Sequence, residues 1–151
     1  MSRPALLDVN LLVALFNPDH IHHEPAHDWF ADNQMYGWAT CPLTELGLVR
    51  ILANPTYWSE AERTAIVLER LRTFCASGHH HFWRDAMSLA DDTLFDLSYA
   101  SGHRQLTDVY LLGLAVRRDG RLATFDRSIP LRAVVGAKAE SLAVIAPASA
   151  E

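Results

Sequence analysis

The sequence of 151 residues has few features of secreted or membrane-bound proteins. Its two cysteines, Cys41 and Cys75, have no metal-ligand spacing, so we expect free thiols in a reducing compartment. No apolar run is long enough to cross a membrane, and the most apolar segment, 5–16, is interrupted by Asp8 and Asn10. No small-residue cleavage site follows that segment. We therefore expect a cytoplasmic protein with neither a signal peptide nor a membrane anchor.

Acidic residues outnumber basic residues, and the formal net charge is −5 at pH 7. This sign argues against broad nonspecific nucleic-acid binding, although an acidic site still binds nucleic acid through a metal ion. Twelve of the thirteen basic residues are arginine, and Lys138 is the only lysine. Arginine is the better bidentate partner for phosphate, but genome composition explains the same bias. Charge alone therefore leaves a nucleic-acid enzyme open without requiring one.

Apolar residues are abundant, at half of the chain, which lets one domain of this length bury a sizeable core. The sequence contains no linker, repeat or low-complexity run that would divide it. We predict a single domain over residues 1–147, followed by a frayed tail at 148–151.

Short apolar strands alternate with helices, which indicates an α/β fold with a central, mainly parallel sheet flanked by helices. Pro42 suits the first residue of a helix, and Ser59 with Glu62 matches a capping box at the start of another. The predicted strands are 5–8, 37–41, 80–83, 122–125 and 141–145. The predicted helices are 11–16, 25–33, 42–53, 60–75, 91–101 and 107–118.

Four acidic residues stand beside these apolar segments. Asp8 and Asp126 follow predicted strands, while Glu45 and Asp108 lie in first turns of predicted helices, on their apolar faces. A buried, unpaired carboxylate is costly, so it normally has a cation or hydrogen-bond donors beside it. If the four converge beyond the carboxyl ends of the strands, they form a site for a hard divalent metal. The helix dipole is the alternative explanation for each helical acid taken alone.

The same residues resemble the motifs of the PIN-domain nucleases, and within them the VapC toxins of bacterial toxin–antitoxin pairs. The first acid, Asp8, lies with Asn10 in LLDVNLLVALF, which resembles the opening strand and helix of that family. The second, Glu45, lies in TELGLVRIL. Asp108 and Asp126 lie in HRQLTDVYLLGLAVRRDGRLATFDRS, which is similar to the third and fourth motifs run together. A further segment, HHHFWRDAMSL, resembles one found in a VapC subgroup, so the resemblance spans nearly the whole chain in order.

This resemblance implies a PIN-like fold and a metal-dependent endoribonuclease that leaves 5′-phosphate and 3′-hydroxyl ends. Asp8, Glu45 and Asp108 would be the essential ligands of Mg²⁺ or Mn²⁺, and Asp126 an auxiliary one. The ion would polarise the phosphate and activate a water, so no nucleophilic side chain is needed. Asp108 or Asp126 would orient or deprotonate that water. The resemblance also implies a cognate VapB-like antitoxin, an RNA substrate and a homodimer.

Several polar residues near the acids are candidates for supporting roles. Asn10 is a candidate donor to Asp8 or to a metal-bound water, although capping the first helix explains it as well. Thr107 and Thr124 stand where the family often has hydroxyls near the metal, but a helix cap and an ordinary strand residue are equal alternatives. Our candidate phosphate contacts are the arginines nearest to the third and fourth acids in sequence: Arg104, Arg127 and Arg132.

Other functions remain open on sequence grounds. The segment HEPAH at residues 23–27 matches the H-E-x-x-H signature of zinc metallopeptidases. However, Pro25 belongs at a helix start, which leaves His23 outside the regular helix, and no third zinc ligand is evident nearby. The histidine run at 79–81 suits a transition metal, stacking on RNA, or simple entry into a strand. A PIN fold kept only as a catalytically silent binding module is a further alternative.

Overall fold

The computed structural model describes residues 3–147, in which short strands alternate with helices. The strands are β1 (Ala5–Leu7), β2 (Trp38–Thr40), β3 (His80–Phe82), β4 (Arg121–Thr124) and β5 (Leu142–Val144). The α-helices are α1 (Val9–Phe16), α2 (His23–Asn33), α3 (Pro42–Leu52), α4 (Thr64–Cys75) and α5 (Leu106–Arg117). The predicted tail at 148–151 lies outside the described residues. None of the helices within 3–147 is long and apolar enough to span a membrane.

The five strands form one parallel sheet in the order β3–β2–β1–β4–β5. This confirms the α/β fold, and the sheet is parallel throughout its described strands. The central strand, β1, pairs with β2 on one side and with β4 on the other, and all three of its residues are buried. The chain first winds outward through β2 and β3 and then restarts on the opposite side of β1. Ligands of such sheets bind beyond the carboxyl ends of the strands at this switch point, which lies between β1 and β4.

Two apolar layers cover the two faces of the sheet. Alternate side chains of a strand point to opposite faces, so Leu7 packs in one layer and Leu6 in the other. Leu7 packs with the buried residues of α1 to α4, including Leu12 and Leu48. Leu6 packs with the buried residues of α5, including Leu112. Helices α1, α3 and α5 are therefore fixed by their apolar faces. Each has one end at the switch point, because α1 follows β1, α3 follows β2 and α5 precedes β4.

Helices α1 and α3 pack most closely where Gly47 faces Val9. A β-carbon added at Gly47 would lie 2.8 Å from Val9 Cγ2 and 3.1 Å from Val9 Cγ1. The branched valine side chain is stiff, so it cannot easily turn away. The absence of a side chain at residue 47 therefore lets the second turn of α3 approach the start of α1.

We predict that Gly47→Ala destabilises the protein. Overpacking costs about 1–3 kcal/mol, while alanine gains about 1 kcal/mol as a helix former, so we expect a net loss of about 1 kcal/mol. Urea unfolding measures the change in the free energy of unfolding. In a Val9→Ala background the same substitution is expected to be neutral or stabilising, because the clash is gone. An equal cost in both backgrounds would contradict the close packing.

Two predictions about helices were wrong because side chains that suit a helix start bind elsewhere. Helix α4 begins at Thr64, not at residue 60, and residues 59–62 form turns and irregular chain instead of a capping box. The Glu62 carboxylate pairs with Arg70, and its backbone N–H donates to Leu52 O at 3.3 Å. Glu62, which the sequence pattern assigns to a helix cap, therefore forms tertiary contacts instead.

The predicted helix at 91–101 does not form; that segment contains turns and a 3₁₀ turn at Leu97–Tyr99. The carboxylates of Asp91 and Asp96 accept hydrogen bonds from the backbone N–H and hydroxyl groups two residues later, which is the pattern of Asx turns. Phe95 is buried and forms a bridge with Val134. The other predicted elements agree with the structure to within about two residues.

Candidate active site

Three of the four predicted acids meet at the carboxyl ends of β1 and β4. Asp8 directly follows β1, and Asp126 lies two residues beyond β4. The parallel pairing of the two strands brings these ends together, and the Asp8 N–H donates to Ala123 O at 3.1 Å. Asp108 lies in the first turn of α5, whose apolar face packs on the same side of the sheet as Leu6.

The charges of these three acids act on one another. Asp8 is only 3% exposed, and this burial raises its pKa to about 7. The negative charges of Asp108 and Asp126 raise the pKa of Asp8 further. Burial also raises the pKa of Asp108 to about 6, with Asp126 contributing to the increase. The site therefore gathers more negative charge than its surroundings compensate.

Hydrogen bonds hold Asp8 in place. Its Oδ1 accepts a hydrogen bond from the Leu11 N–H at 2.7 Å, so Asp8 is the N-cap of α1. The buried Thr124 hydroxyl also bonds to Asp8, and this hydrogen bond lowers the pKa of that carboxyl. Thr124 Oγ1 accepts in turn from the Asp126 N–H at 3.0 Å. Thr124, a candidate supporting residue, thus links the first and fourth acids.

Asp126 is partly engaged in its own loop. Its Oδ1 accepts hydrogen bonds from the Ser128 N–H at 2.8 Å and from the Ser128 hydroxyl at 2.6 Å. One carboxylate oxygen is therefore occupied by the turn after β4. This arrangement suits an acid that contributes its charge or holds a water more than one that binds a metal with both oxygens.

The remaining predicted acid, Glu45, is held by a hydrogen bond from a residue of β2. Glu45 lies in the first turn of α3, and its Oε2 accepts a hydrogen bond from Thr40 Oγ1 at 2.7 Å. The Thr40 hydroxyl has only one proton, and it donates that proton to Glu45. In the second contact, at 2.7 Å, Thr40 Oγ1 therefore accepts a hydrogen bond from His80 Nε2–H.

A cleft opens beside Asp108 between α1, α3 and the start of α5. Val9, Leu43, Leu46 and Gly47 form its apolar wall. Its polar side chains are Asn10, Arg50, Arg104, Thr107 and Asp108. Three residues proposed from the sequence, namely Asn10, Arg104 and Thr107, therefore share one cleft with an acid. Two guanidinium groups are available there to an anionic ligand.

Arg50 was not predicted from the sequence. The sequence feature that could have indicated it is a spacing of three and four residues. This spacing places Leu43, Leu46, Gly47 and Arg50 on one face of α3. The remaining arginine candidates lie elsewhere: Arg127 is exposed after Asp126, and the Arg132 guanidinium lies 5.9 Å from the centre of the Tyr99 ring.

The three converging acids fit a hard divalent cation. Their donors are carboxylate oxygens, the ligands that Mg²⁺ and Mn²⁺ prefer. A buried carboxyl with a pKa near 7 is only about half ionised at neutral pH, and a divalent ion favours the ionised form by supplying positive charge beside it.

The raised pKa values predict an unusual pH dependence of stability. The folded chain holds the Asp8 proton up to about pH 7, whereas the unfolded chain releases it near pH 4. Stability is therefore full below about pH 4 and falls as pH rises to about 7, by about 1.4 kcal/mol per unit for this group. We expect metal-free protein to lose about 2 kcal/mol between pH 5.5 and 7 from Asp8.

Urea unfolding at both pH values measures this loss, with Asp8→Asn as the control that cannot titrate. Asp108 acts in the same direction up to about pH 6 and remains in the control. Added Mg²⁺ is expected to stabilise the wild-type protein more at pH 7 than at pH 5.5. A pH dependence equal in wild-type and Asp8→Asn would contradict the raised pKa of Asp8.

The H-E-x-x-H segment has a structural role. Helix α2 begins at His23, not at Pro25, so both histidines lie on one helix. However, His23 Nδ1 bonds to Ala14 O at 2.7 Å, and His27 Nε2 bonds to Leu15 O at 3.0 Å. Within residues 3–147, the two belong to no group of three metal-ligating side chains. They attach α2 to the end of α1, which does not support a zinc peptidase.

Comparisons with known proteins agree with this geometry. The family model of the PIN domain matches residues 5–135. Ribonuclease VapC44 of Mycobacterium tuberculosis is 42% identical over 141 residues, which is 93% of this chain and 99% of that relative. Ribonuclease VapC38 of the same organism is 48% identical over 125 residues, covering 83% of this chain and 86% of the relative. Ribonuclease VapC39 is 41% identical over 132 residues, covering 87% and 95% respectively. The chain therefore belongs to the PIN-domain family, as a relative of the VapC ribonucleases.

Proposed function

We propose that the protein is a metal-dependent endoribonuclease, the toxin of a toxin–antitoxin pair. The observation that carries this proposal is the meeting of Asp8, Asp108 and Asp126 at the switch point of the sheet. The names and high identity of the VapC relatives support RNA as the substrate. We further propose one PIN domain over residues 1–147 and action in the cytoplasm, where that substrate is found.

The ligands of the proposed Mg²⁺ or Mn²⁺ are Asp8, Glu45 and Asp108, with Asp126 auxiliary. When bound, the ion polarises the scissile phosphate and lowers the pKa of a bound water. Asp108 or Asp126 would orient the attacking water and accept its proton, since both carboxylates lie beside Asp8. Water attack on phosphorus breaks the bond to the 3′ oxygen and leaves 5′-phosphate and 3′-hydroxyl ends. Thr124 holds Asp8 and Asp126 beside each other, because it forms a hydrogen bond with each of them.

The cleft beside Asp108 is the proposed path of the RNA backbone. Arg104 and Arg50 project from its two sides, and both side chains are exposed to solvent. Guanidinium groups bind phosphate in a bidentate manner, so these two residues hold the strand next to the acids. Asn10 and Thr107 are proposed to hold waters or sugar hydroxyls in the same cleft. Arg127 and Arg132 are proposed as outer phosphate contacts.

We predict that Arg104→Ala weakens RNA binding more than it slows cleavage. Loss of one phosphate contact is expected to raise KM about 10-fold, change kcat little and reduce the salt slope of binding by about 1. Steady-state cleavage of one RNA over a range of salt concentrations measures all three. Arg72→Ala is the matched control, because Arg72 is exposed on α4 and pairs with Glu69. Equal effects of both substitutions would contradict a specific role for Arg104.

The partner proposals are a cognate VapB-like antitoxin and a second copy of this chain. Helix α1 is a poor surface for either, because its apolar residues 11–16 are all buried inside the domain. Helix α4 exposes Ile66 and Leu68, so we propose that the antitoxin packs along α4. Co-expression with the product of a neighbouring short gene, followed by co-purification, tests this: Ile66→Asp is expected to release the partner.

The direct test is incubation of antitoxin-free protein with total RNA, with and without Mg²⁺ or Mn²⁺. Discrete fragments that require the metal and are absent with Asp8→Asn are the expected result. The ends of the fragments identify the bond that is cleaved. If the protein binds RNA and metal but leaves all RNA intact, the chain is a binding module instead of a nuclease.

A further inference from the structure

A second group of metal-ligating side chains includes Glu45 and two residues outside the acidic site. Glu45, Cys75 and His80 each offer one ligand atom, and these atoms lie within 4.8 Å of one another. All three side chains are partly buried. They come from the first turn of α3, the last residue of α4 and the first residue of β3. Within residues 3–147 they are the one group of three such residues.

The turn between α4 and β3 brings Cys75 and His80 together. Gly78 and His79 have positive φ values of 116° and 64°, and these reverse the chain within a few residues. Left-handed backbone is uncommon for a residue with a side chain, so the surrounding structure fixes this turn. The positions of Cys75 and His80 are therefore fixed by this turn and by the pairing of β3 with β2.

The distance between the two ligand atoms suits a tetrahedral ion. His80 Nε2 lies 3.5 Å from Cys75 Sγ. Zinc binds sulfur at about 2.3 Å and imidazole nitrogen at about 2.0–2.1 Å, which places the two ligands about 3.5 Å apart in tetrahedral geometry. An oxygen of the Glu45 carboxylate lies within 4.8 Å of both atoms.

We propose that Glu45, Cys75 and His80 form a binding site for a zinc-class transition-metal ion, with water as its fourth ligand. Thiolate and imidazole select Zn²⁺ over Mg²⁺, which prefers oxygen ligands. The site is therefore chemically distinct from the carboxylates around Asp8. As zinc binds, the ring proton of His80 moves from Nε2 to Nδ1, so the hydrogen bond to Thr40 is lost, and the Cys75 thiol releases its proton to solvent.

Because the two sites share Glu45, zinc regulates the proposed nuclease; this consequence rests on the proposed function. An ion bound to Cys75 and His80 holds the Glu45 carboxylate beside β3. The Mg²⁺ site then lacks one of its proposed ligands. Excess Mg²⁺ does not reverse this inhibition, since it competes poorly for a thiolate and an imidazole.

Titration of the full chain with Co²⁺ tests the site without any measurement of activity. We expect one equivalent to produce a thiolate-to-cobalt charge-transfer band that Zn²⁺ removes. His81→Ala and Cys41→Ser are the controls, and both are expected to keep the band. Cys75→Ser is expected to lose it, and His80→Ala to weaken cobalt binding at least 10-fold. Cobalt bound only to surface histidines gives no thiolate band, so the absence of the band, or its persistence in Cys75→Ser, overturns the proposal.

Cleavage assays then test the regulation. With Mg²⁺ in excess, one to two equivalents of Zn²⁺ are expected to reduce cleavage at least 10-fold in the wild-type protein. Cys75→Ser is expected to cleave normally without zinc and to resist zinc inhibition. Equal inhibition of both proteins overturns the regulatory role. If the protein cleaves no RNA, the proposed function fails while the cobalt titration still decides the metal site.

Discussion

Replacing Asp8 with asparagine is expected to reduce RNA cleavage by about 10³-fold or more while leaving the protein folded. The substitution removes a charged ligand from the centre of the acidic group. Stabilisation of charge by a bound metal contributes several kcal/mol to the transition state, and each 1.4 kcal/mol or so corresponds to a factor of ten. Loss of about 4 kcal/mol therefore gives the expected effect.

The fold is expected to tolerate this change because asparagine can cap helix α1 as Asp8 does. Asparagine is as good an N-cap as aspartate, so its side-chain oxygen can still accept from the Leu11 N–H. The neutral side chain also removes the cost of burying a charge, so metal-free Asp8→Asn is expected to be more stable than wild-type at pH 8. Circular dichroism melts and cleavage of the same RNA measure both effects.

Asp8→Ala separates the two roles of the residue. It removes the charge and the cap, so it is expected to match Asp8→Asn in lost cleavage but to be about 1 kcal/mol less stable. Cleavage at the wild-type rate by well-folded Asp8→Asn would exclude Asp8 from the metal site.

Glu45→Gln is expected to reduce cleavage by about 10²–10³-fold, whereas Asp126→Asn is expected to reduce it only about 10-fold. Glu45 is proposed as a direct ligand, and its Oε2 accepts a hydrogen bond from the Thr40 hydroxyl. Asp126 is proposed as the auxiliary acid, and its Oδ1 accepts two hydrogen bonds from Ser128. Rates measured with saturating Mg²⁺ and one RNA substrate provide the ranking.

Glu69→Gln is the matched control for this comparison, because Glu69 is an exposed acid on α4. It is expected to cleave as the wild-type protein does. Should Asp126→Asn prove much more damaging than Glu45→Gln, the two roles would have to be exchanged, and Glu45 would be assigned to its hydrogen bond with Thr40 alone.

The order of strands and helices was predictable because local residue choices agree with the fold. The apolar run before Asp8 gives a strand buried on both faces, and Pro42 begins α3 as its missing N–H allows. The failures share one physical cause. Polar residues such as Glu62 and Asp91 satisfy several kinds of local structure, and contacts distant in sequence decide among them.

The candidate site was predictable to the extent that it depends on strand ends. Asp8 and Asp126 follow neighbouring parallel strands, and Asp108 opens a helix that packs on the same sheet. The surroundings of Glu45 were not predictable, because they depend on strand register. Only the pairing of β2 with β3 determines which member of the histidine run reaches Thr40.

The central position of β1 has a consequence for a cell that synthesises such a toxin. Asp8 is synthesised well before Asp126, and β1 acquires its second neighbour only when β4 has been made, more than a hundred residues later. Until then Asp8 lacks Thr124, Asp126 and the paired edge that positions them. The proposed cleavage centre is therefore incomplete until β4 and Asp126 have been made and have joined β1, and a nascent chain that lacks them is expected to be inactive as a nuclease.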